Sequence, residues 1–309
     1  MIHLRRTWVL FGAMALLAGC PSPARLADPE GRPAADEADL RSWLENAVRH
    51  HRFSAEEAAA ATGLTAAETE AAIRRFGLAP GDTAPLTLLP YPGGRHPRLG
   101  FLEGAVRPRR ETKLSVFSPW GGYAVVDLPE AIWSNLGLTY LAHSHIPTIW
   151  DRQGVAMERL EWTREPGGGL RSRRTLPNGI SFGASAGVSG GAVRMELWLS
   201  NGTKEKLSDL RVQVCVLLRG LPGFDRQTNE NKVFSGPYAA CRDVSGKRWL
   251  ITAWRPLHRT WANAPCPCLH SDPKFPDCAP GETVRLEGGL WFYEGDDLAG
   301  EIARLENAR

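Results

Sequence analysis

Residues 192–199 read Ala192-Val193-Arg194-Met195-Glu196-Leu197-Trp198-Leu199. Val193, Met195, Leu197 and Leu199 fall on one side, and Arg194, Glu196 and Trp198 on the other. Side chains alternate across a strand, so this is the pattern of a strand with one buried face. The triplet Asn201-Gly202-Thr203 follows as a turn, and the apolar run 207–218 reads as the next strand. Working outward, the same reasoning places strands at 113–118, 123–128, 138–143, 155–163, 170–175, 180–186, 248–254 and 284–293, with a closing helix over 298–305. Many short strands separated by Gly- and Pro-rich turns predict a mainly β chain, a large antiparallel β-sandwich over residues 100–296 with a C-terminal helix at 297–309.

Residues 38–78 have a different composition, rich in Ala and Glu with helical spacing. Helices are expected at 38–50, 54–62 and 66–76. Ser54 precedes Glu57, and Thr65 precedes Glu68, at the spacing of capping boxes. This small three-helix module resembles a helix-turn-helix with Gly63 at the turn. Its second helix opens Ala66-Ala67-Glu68-Thr69-Glu70, acidic where a groove-reading helix should be basic, so no nucleic acid is expected as a partner. Residues 79–99 read as a linker that then wraps onto the next domain.

The chain starts with Arg5-Arg6, an apolar run from Trp8 to Leu17, and then Ala18-Gly19-Cys20. A basic start, a short apolar run and a small-residue exit form a secretory signal, here 1–19. Leu17-Ala18-Gly19-Cys20 resembles the bacterial lipobox, which implies a lipidated Cys20, a membrane anchor and an extracytoplasmic location at the cell envelope. Residues 20–37 then read as a disordered tether. Without Arg5 and Arg6, which fall in the signal, 35 basic residues face 34 acidic ones. That balance gives no electrostatic ground for nucleic-acid binding.

Beyond Cys20 the cysteines are Cys215, Cys241, Cys266, Cys268 and Cys278. In an oxidising compartment Cys241, Cys266, Cys268 and Cys278 are expected to form disulfides that pin the Pro-rich stretch 264–278, with Cys215 an unpaired core cysteine. A tetrahedral zinc site from Cys266, Cys268, His270 and Cys278 is the alternative. His270 and Asp272 of that stretch are candidates for a ligand-facing cleft.

His143-Ser144-His145 is the densest polar cluster. Two imidazoles at i and i+2 of a strand share a face and can ligate one divalent metal ion or act as acid and base. Gly137 and the two histidines resemble the opening of a cupin metal motif, but Ile149 and Trp150 stand where its acidic ligand belongs. Trp150 and Asp151 are candidate ligand-contacting residues, as are Gln227, Asn229 and Asn231, whose amides suit sugar hydroxyls. Arg107, Arg109, Arg110 and Lys113 form a basic stretch.

The pattern from Met195 to Thr203 and from Leu207 to Leu217 resembles the paired long strands of the galactose-mutarotase-like supersandwich. That resemblance implies a supersandwich-like fold, carbohydrate as ligand, no cofactor, and acid–base roles for His143, His145 and the late carboxylate Glu294. The body from Tyr91 to Asp297 also resembles an uncharacterised family of exported bacterial proteins, which implies no activity. Absence of a Gly-rich phosphate loop, a Gly-x-Ser-x-Gly elbow and a His-Glu-x-x-His sequence argues against nucleotide binding, the common serine hydrolases and zincin proteases. The leading expectation is an anchored β-sandwich that binds or modifies a glycan. A non-catalytic envelope contact protein and a metal-dependent enzyme centred on His143 and His145 are the alternatives.

Overall fold

The computed structural model describes residues 31–99, 110–143 and 146–308. The signal 1–19, Cys20, most of the tether and His145 lie outside the described residues. The chain is mainly β. Helix α1 (Glu37–Leu44) continues as a wider π turn through His50, and α2 (Ala55–Thr62) and α3 (Ala66–Phe76) follow. Both capping boxes close: Ser54 caps α2 with Glu57, and Thr65 caps α3 with Glu68. Gly63 ends α2 at φ 76°, a left-handed cap that glycine adopts without a Cβ penalty.

The strands are β1 (Leu88–Pro90), β2 (Lys113–Phe117), β3 (Tyr123–Ser134), β4 (Gly137–Leu141), β5 (Thr163–Arg164), β6 (Leu170–Thr175), β7 (Ser181–Ser189), β8 (Ala192–Ser200), β9 (Val212–Leu217), β10 (Lys232–Ser235), β11 (Tyr238–Arg242), β12 (Arg248–Arg255), β13 (Leu257–Asn263), β14 (Cys266–Pro273) and β15 (Thr283–Glu294), before α4 (Leu298–Asn307). Sheet one runs β1-β2-β3-β9-β14-β13, with β4 also paired to β3. Sheet two runs β10-β11-β12-β15-β8-β7-β6-β5. The pairings are antiparallel throughout the described strands.

The sheets face each other across one apolar core. Val126, Val214, Val216 and Leu269 of sheet one meet Phe182, Val193, Leu197, Leu250 and Leu290 of sheet two. Each fully buried aliphatic side chain there contributes roughly 1.5–3 kcal/mol. The alternation in β8 is the predicted one, with Val193, Met195, Leu197 and Leu199 buried.

Sheet one is covered on its other face as well. Leu44, Val48, Phe53, Ala58 and Ala72 of the helical segment share a cluster with Phe117, Tyr123, Val125, Cys215, Leu217, Cys266 and Cys268. Arg95 ties the two together: its guanidinium bonds both oxygens of Glu57 at 2.6 Å and lies 4.2 Å from the Phe53 ring centroid.

Four expectations are corrected. Residues 79–99, read as a linker that wraps onto the next domain, lie against sheet one through Leu89 and Tyr91 but also supply a strand of it, β1. Residues 155–163, read as a strand, pair only at Thr163. The Pro-rich stretch 264–278, read as a disulfide-pinned loop, contains β14, an interior strand of sheet one between β9 and the edge strand β13. Finally, Cys241, Cys266, Cys268 and Cys278 are free, buried thiols, as is Cys215. Cys241 and Cys278 project into the inter-sheet core, whereas Cys266 and Cys268 project under the helices.

Candidate functional site

On the helix-covered face of sheet one, the apolar cluster gives way to a buried polar centre. Lys113 on β2 and Asp127 on β3 are register partners, and Nζ lies 2.7 Å from Oδ1 with both residues 0% exposed. Asp127 Oδ2 is 3.3 Å from His143 Nε2, and Glu130 Oε1 is 3.2 Å from the same nitrogen. Arg98 Nη2 contacts Glu130 Oε1 and stands 2.8 Å from His143 Nε2. Glu130 Oε2 reaches to 3.9 Å from Nδ1 of His270 on β14.

A local distortion brings the two acids together. Between Asp127 and Ala131, β3 advances four residues while β9 advances from Cys215 to Gln213. In a regular strand Asp127 and Glu130 would point to opposite faces; the bulge re-aims one of them.

The carboxylates are held ionised. Burial pushes Asp127 up, but Lys113 and then His143 outweigh it and lower it. For Glu130, burial is likewise outweighed by the His143 hydrogen bond and the Arg98 charge. Two fixed cations therefore stand against two fixed anions, which limits the cost of burying any of them.

Beside this lies a sulfur-rich group. Cys215 and His270 face each other across the β9–β14 ladder, and Cys268 sits two residues from His270 on the same face. Hydrogen bonds from the Cys215 and Cys266 thiols, with a further contribution from His270, hold Cys268 well below the usual thiol range. Burial alone would lower His270, but Asp272 and the Cys268 sulfur together push it up to about 10. Asp272 Oδ1 lies 3.3 Å from His270 Nδ1 and accepts from the Val214 amide at 3.1 Å. Its Oδ2 accepts from Arg259 Nε at 2.9 Å and Trp261 Nε1 at 2.7 Å. The Trp261 ring stacks on His270 at 4.0 Å between centroids, tilted 17°.

Of the residues expected to carry chemistry, His143, His270 and Asp272 meet in this centre. Glu294 does not: it is exposed at the end of β15 in sheet two and accepts from Trp120 Nε1 at 2.8 Å. Trp150 belongs to the inter-sheet core, its Nε1 bonded to the Thr139 carbonyl at 2.8 Å. Asp151 caps its own turn, accepting from the Thr148 amide and hydroxyl. Gln227 and Asn229 donate to the carbonyls of Pro265 and Ala262, and Asn231 is buried against Cys241 and Arg242. Their amides therefore hold loops in place. In the basic stretch, Arg110 and Lys113 are buried and ion-paired, Arg110 with Glu161 at 2.6 Å.

Sequence reasoning missed Arg98, Lys113, Asp127 and Glu130 as site residues. The available signal was a Lys and an Asp on neighbouring strands that are otherwise apolar.

Sheet two differs on its outer face. Helix α4 covers its β11–β12 side, with Leu298 and Leu305 packed with Tyr238, Trp249 and Ile251. Along β15, β8, β7 and β6 the face is open and forms a groove of about 820 Å³. Cross-strand rows make up this face: Gly289, Arg194 and Gly187; Glu287, Glu196, Ser185 and Arg171; Arg285, Trp198, Gly183 and Arg173; the groove lies over the first two, and the third runs beside it. Arg285 pairs with Glu196, and Arg171 with Glu165 at 2.5 Å. Trp198 and Trp291 are half-buried on this face. Glycines let the indoles lie close to the backbone: a Cβ on Gly183 would collide with Trp198, and one on Gly289 with Trp291. Arg173 and Arg194 lie 5.6 and 5.7 Å from the Trp198 and Trp291 ring centroids.

No family model and no curated protein matches the chain. Among solved structures it is similar to the Slr1438 protein of Synechocystis sp. PCC 6803, with 13% identity and a TM-score of 0.35 over 59% of this chain and 88% of that one. It is also similar to a polysaccharide lyase, with 12% identity and a TM-score of 0.32 over 68% of this chain. The match spans 33% of the lyase's length.

Proposed function

We propose that this is an exported protein, anchored to the cell envelope through a lipidated Cys20, that binds a glycan along the open face of sheet two. The observation that carries the reading is Trp291, at the margin of the α4 cluster, lining the groove together with Glu196, Glu287 and Arg194, with Trp198 half-buried beside it on the same face. An indole offers an apolar face to the C–H side of a sugar ring, while carboxylates and guanidinium groups bond its hydroxyls. An open, concave strip with few aromatic anchors and converging polar groups suits an extended polar ligand.

The full chain is tested for retardation in native gels cast with neutral and acidic polysaccharides, and against an array of envelope-derived glycans. Binding that is lost in Trp291→Ala and weakened in Trp198→Ala and Glu196→Gln supports the reading. No binding across the set, or binding indifferent to Trp291, overturns it. Anchoring is checked separately by fatty-acid labelling, which Cys20→Ala should abolish.

A further inference from the structure

We infer that Cys215, Cys268 and His270, with Cys266 as fourth donor, form a tetrahedral Zn(II) site inside sheet one. This inference is independent of the glycan reading, since it concerns the opposite sheet. The ligand atoms of Cys215, Cys268 and His270 lie within 4.8 Å of one another, and all three residues are buried. Zinc–sulfur and zinc–nitrogen bonds of roughly 2.3 and 2.0 Å require ligand atoms a little under 4 Å apart, so modest side-chain rotation closes the site.

The strand geometry supplies this arrangement. Cys266, Cys268 and His270 occupy positions i, i+2 and i+4 of β14 and share one face, and Cys215 stands opposite His270 on β9. Cys266 lies beside Cys268 but outside the 4.8 Å group of the other three, so its side chain must turn furthest to reach the ion.

The surroundings are those of a metal-binding histidine. Nδ1 of His270 is engaged by Asp272, which leaves Nε2 for a metal. Asp272 is fixed in turn by Arg259, Trp261 and the Val214 amide. A carboxylate that orients the ring through its other nitrogen is a recurrent support for bound zinc. Three thiolates and a neutral imidazole around Zn(II) carry one net negative charge. The Arg98 guanidinium, whose first partner is Glu130, also interacts electrostatically with Cys215 and Cys266 and so lessens the cost of that charge. Binding releases three protons, from the Cys215 and Cys266 thiols and from the His270 imidazolium, and involves no change of oxidation state.

The neighbouring set of Asp127, Glu130 and His143 is the weaker candidate. Lys113 and Arg98 already neutralise its carboxylates, so a divalent ion there would meet two fixed cations.

The test uses the full chain purified with reductant and without chelator. Elemental analysis should find one zinc per chain, lost in Cys215→Ser and retained in Cys241→Ser and Cys278→Ser. Should Cys215→Ser fail to fold, the wild-type chain still decides: Co(II) exchanged for zinc should give intense tetrahedral bands and a thiolate charge-transfer absorption. Asp272→Asn should weaken zinc binding about 10- to 100-fold. Fully reduced protein that takes up neither Zn(II) nor Co(II), or that gives a weak octahedral cobalt spectrum, overturns the site. Preference for Cu(I) over Zn(II) on the same residues overturns the assignment of the ion.

Discussion

Asp127 and Glu130 stand three residues apart on one strand, yet both approach Nε2 of His143, at 3.3 and 3.2 Å. The bulge in β3 makes this possible, and it converts a sequence spacing that forbids a shared face into one that creates a shared site. Bulges beside functional sites commonly re-aim a side chain in this way.

Breaking the ion pair beneath that site should be costly. Lys113→Met leaves Asp127 buried without its nearest cation, and the expected loss is about 3–5 kcal/mol in urea unfolding at neutral pH. The double variant Lys113→Met/Asp127→Leu should recover much of that loss, because no uncompensated charge remains. A double variant as unstable as the single one would show that the pair itself, rather than its desolvation, stabilises the fold.

Acid should destabilise the junction between helices and sheet through His51. This ring is fully buried, bonded to the Asn46 carbonyl and the Ser115 hydroxyl, and burial lowers its pKa from 6.5 to about 3. Because the folded value lies below the unfolded one, its contribution is complete above pH 6.5 and declines as pH falls towards 3. Between pH 7 and 5 the loss is about 2 kcal/mol. Comparing urea midpoints of the wild type and His51→Gln at both pH values isolates it; equal losses in the two proteins would assign the acid sensitivity to other groups.

Arg95→Ala should loosen α2 from sheet one. The substitution removes both bonds to Glu57 and the stacking on Phe53. Amide hydrogen exchange should rise over 54–62 while β12 and β15 remain protected. Uniformly faster exchange would mean that the helices open only with global unfolding.

Gly183→Ala tests how tightly Trp198 lies on sheet two. The added methyl collides with the indole and the Ser172 carbonyl, an overpacking that costs roughly 1–3 kcal/mol. If Trp198 contacts glycan, this variant should also bind less at a temperature where it remains folded, measured by the same gel retardation.

Much of the architecture was legible because one face of sheet two is open. β8 alternates cleanly, with Arg194, Glu196 and Trp198 turned away from the core. β14 was illegible for the opposite reason. Both of its faces are covered, all eight residues are buried, and no alternation survives. It also contains Pro267, a residue that argues against a central strand. The ladder to β9 begins only at Cys268, and Pro267 contributes its carbonyl to the Leu218 amide. His143, His270 and Asp272 were visible as chemistry-bearing types. Their convergence was not, since it depends on the β3 bulge and on the pairing of β9 with β14. Trp150 illustrates the converse: an aromatic next to the histidines in sequence is directed into the core by its bond to Thr139.

The cluster shared by the helices and sheet one has a mechanical consequence. Phe53, Leu44 and Val48 are buried together with Phe117, Tyr123 and Leu217 as well as with other helical residues. The helical part owns no core apart from this shared one, so a fragment cut away at residue 79 should not fold by itself. A pull on the N-terminal end of the helices is therefore transmitted through that shared cluster directly to the sheet that holds Cys215, Cys266 and Cys268.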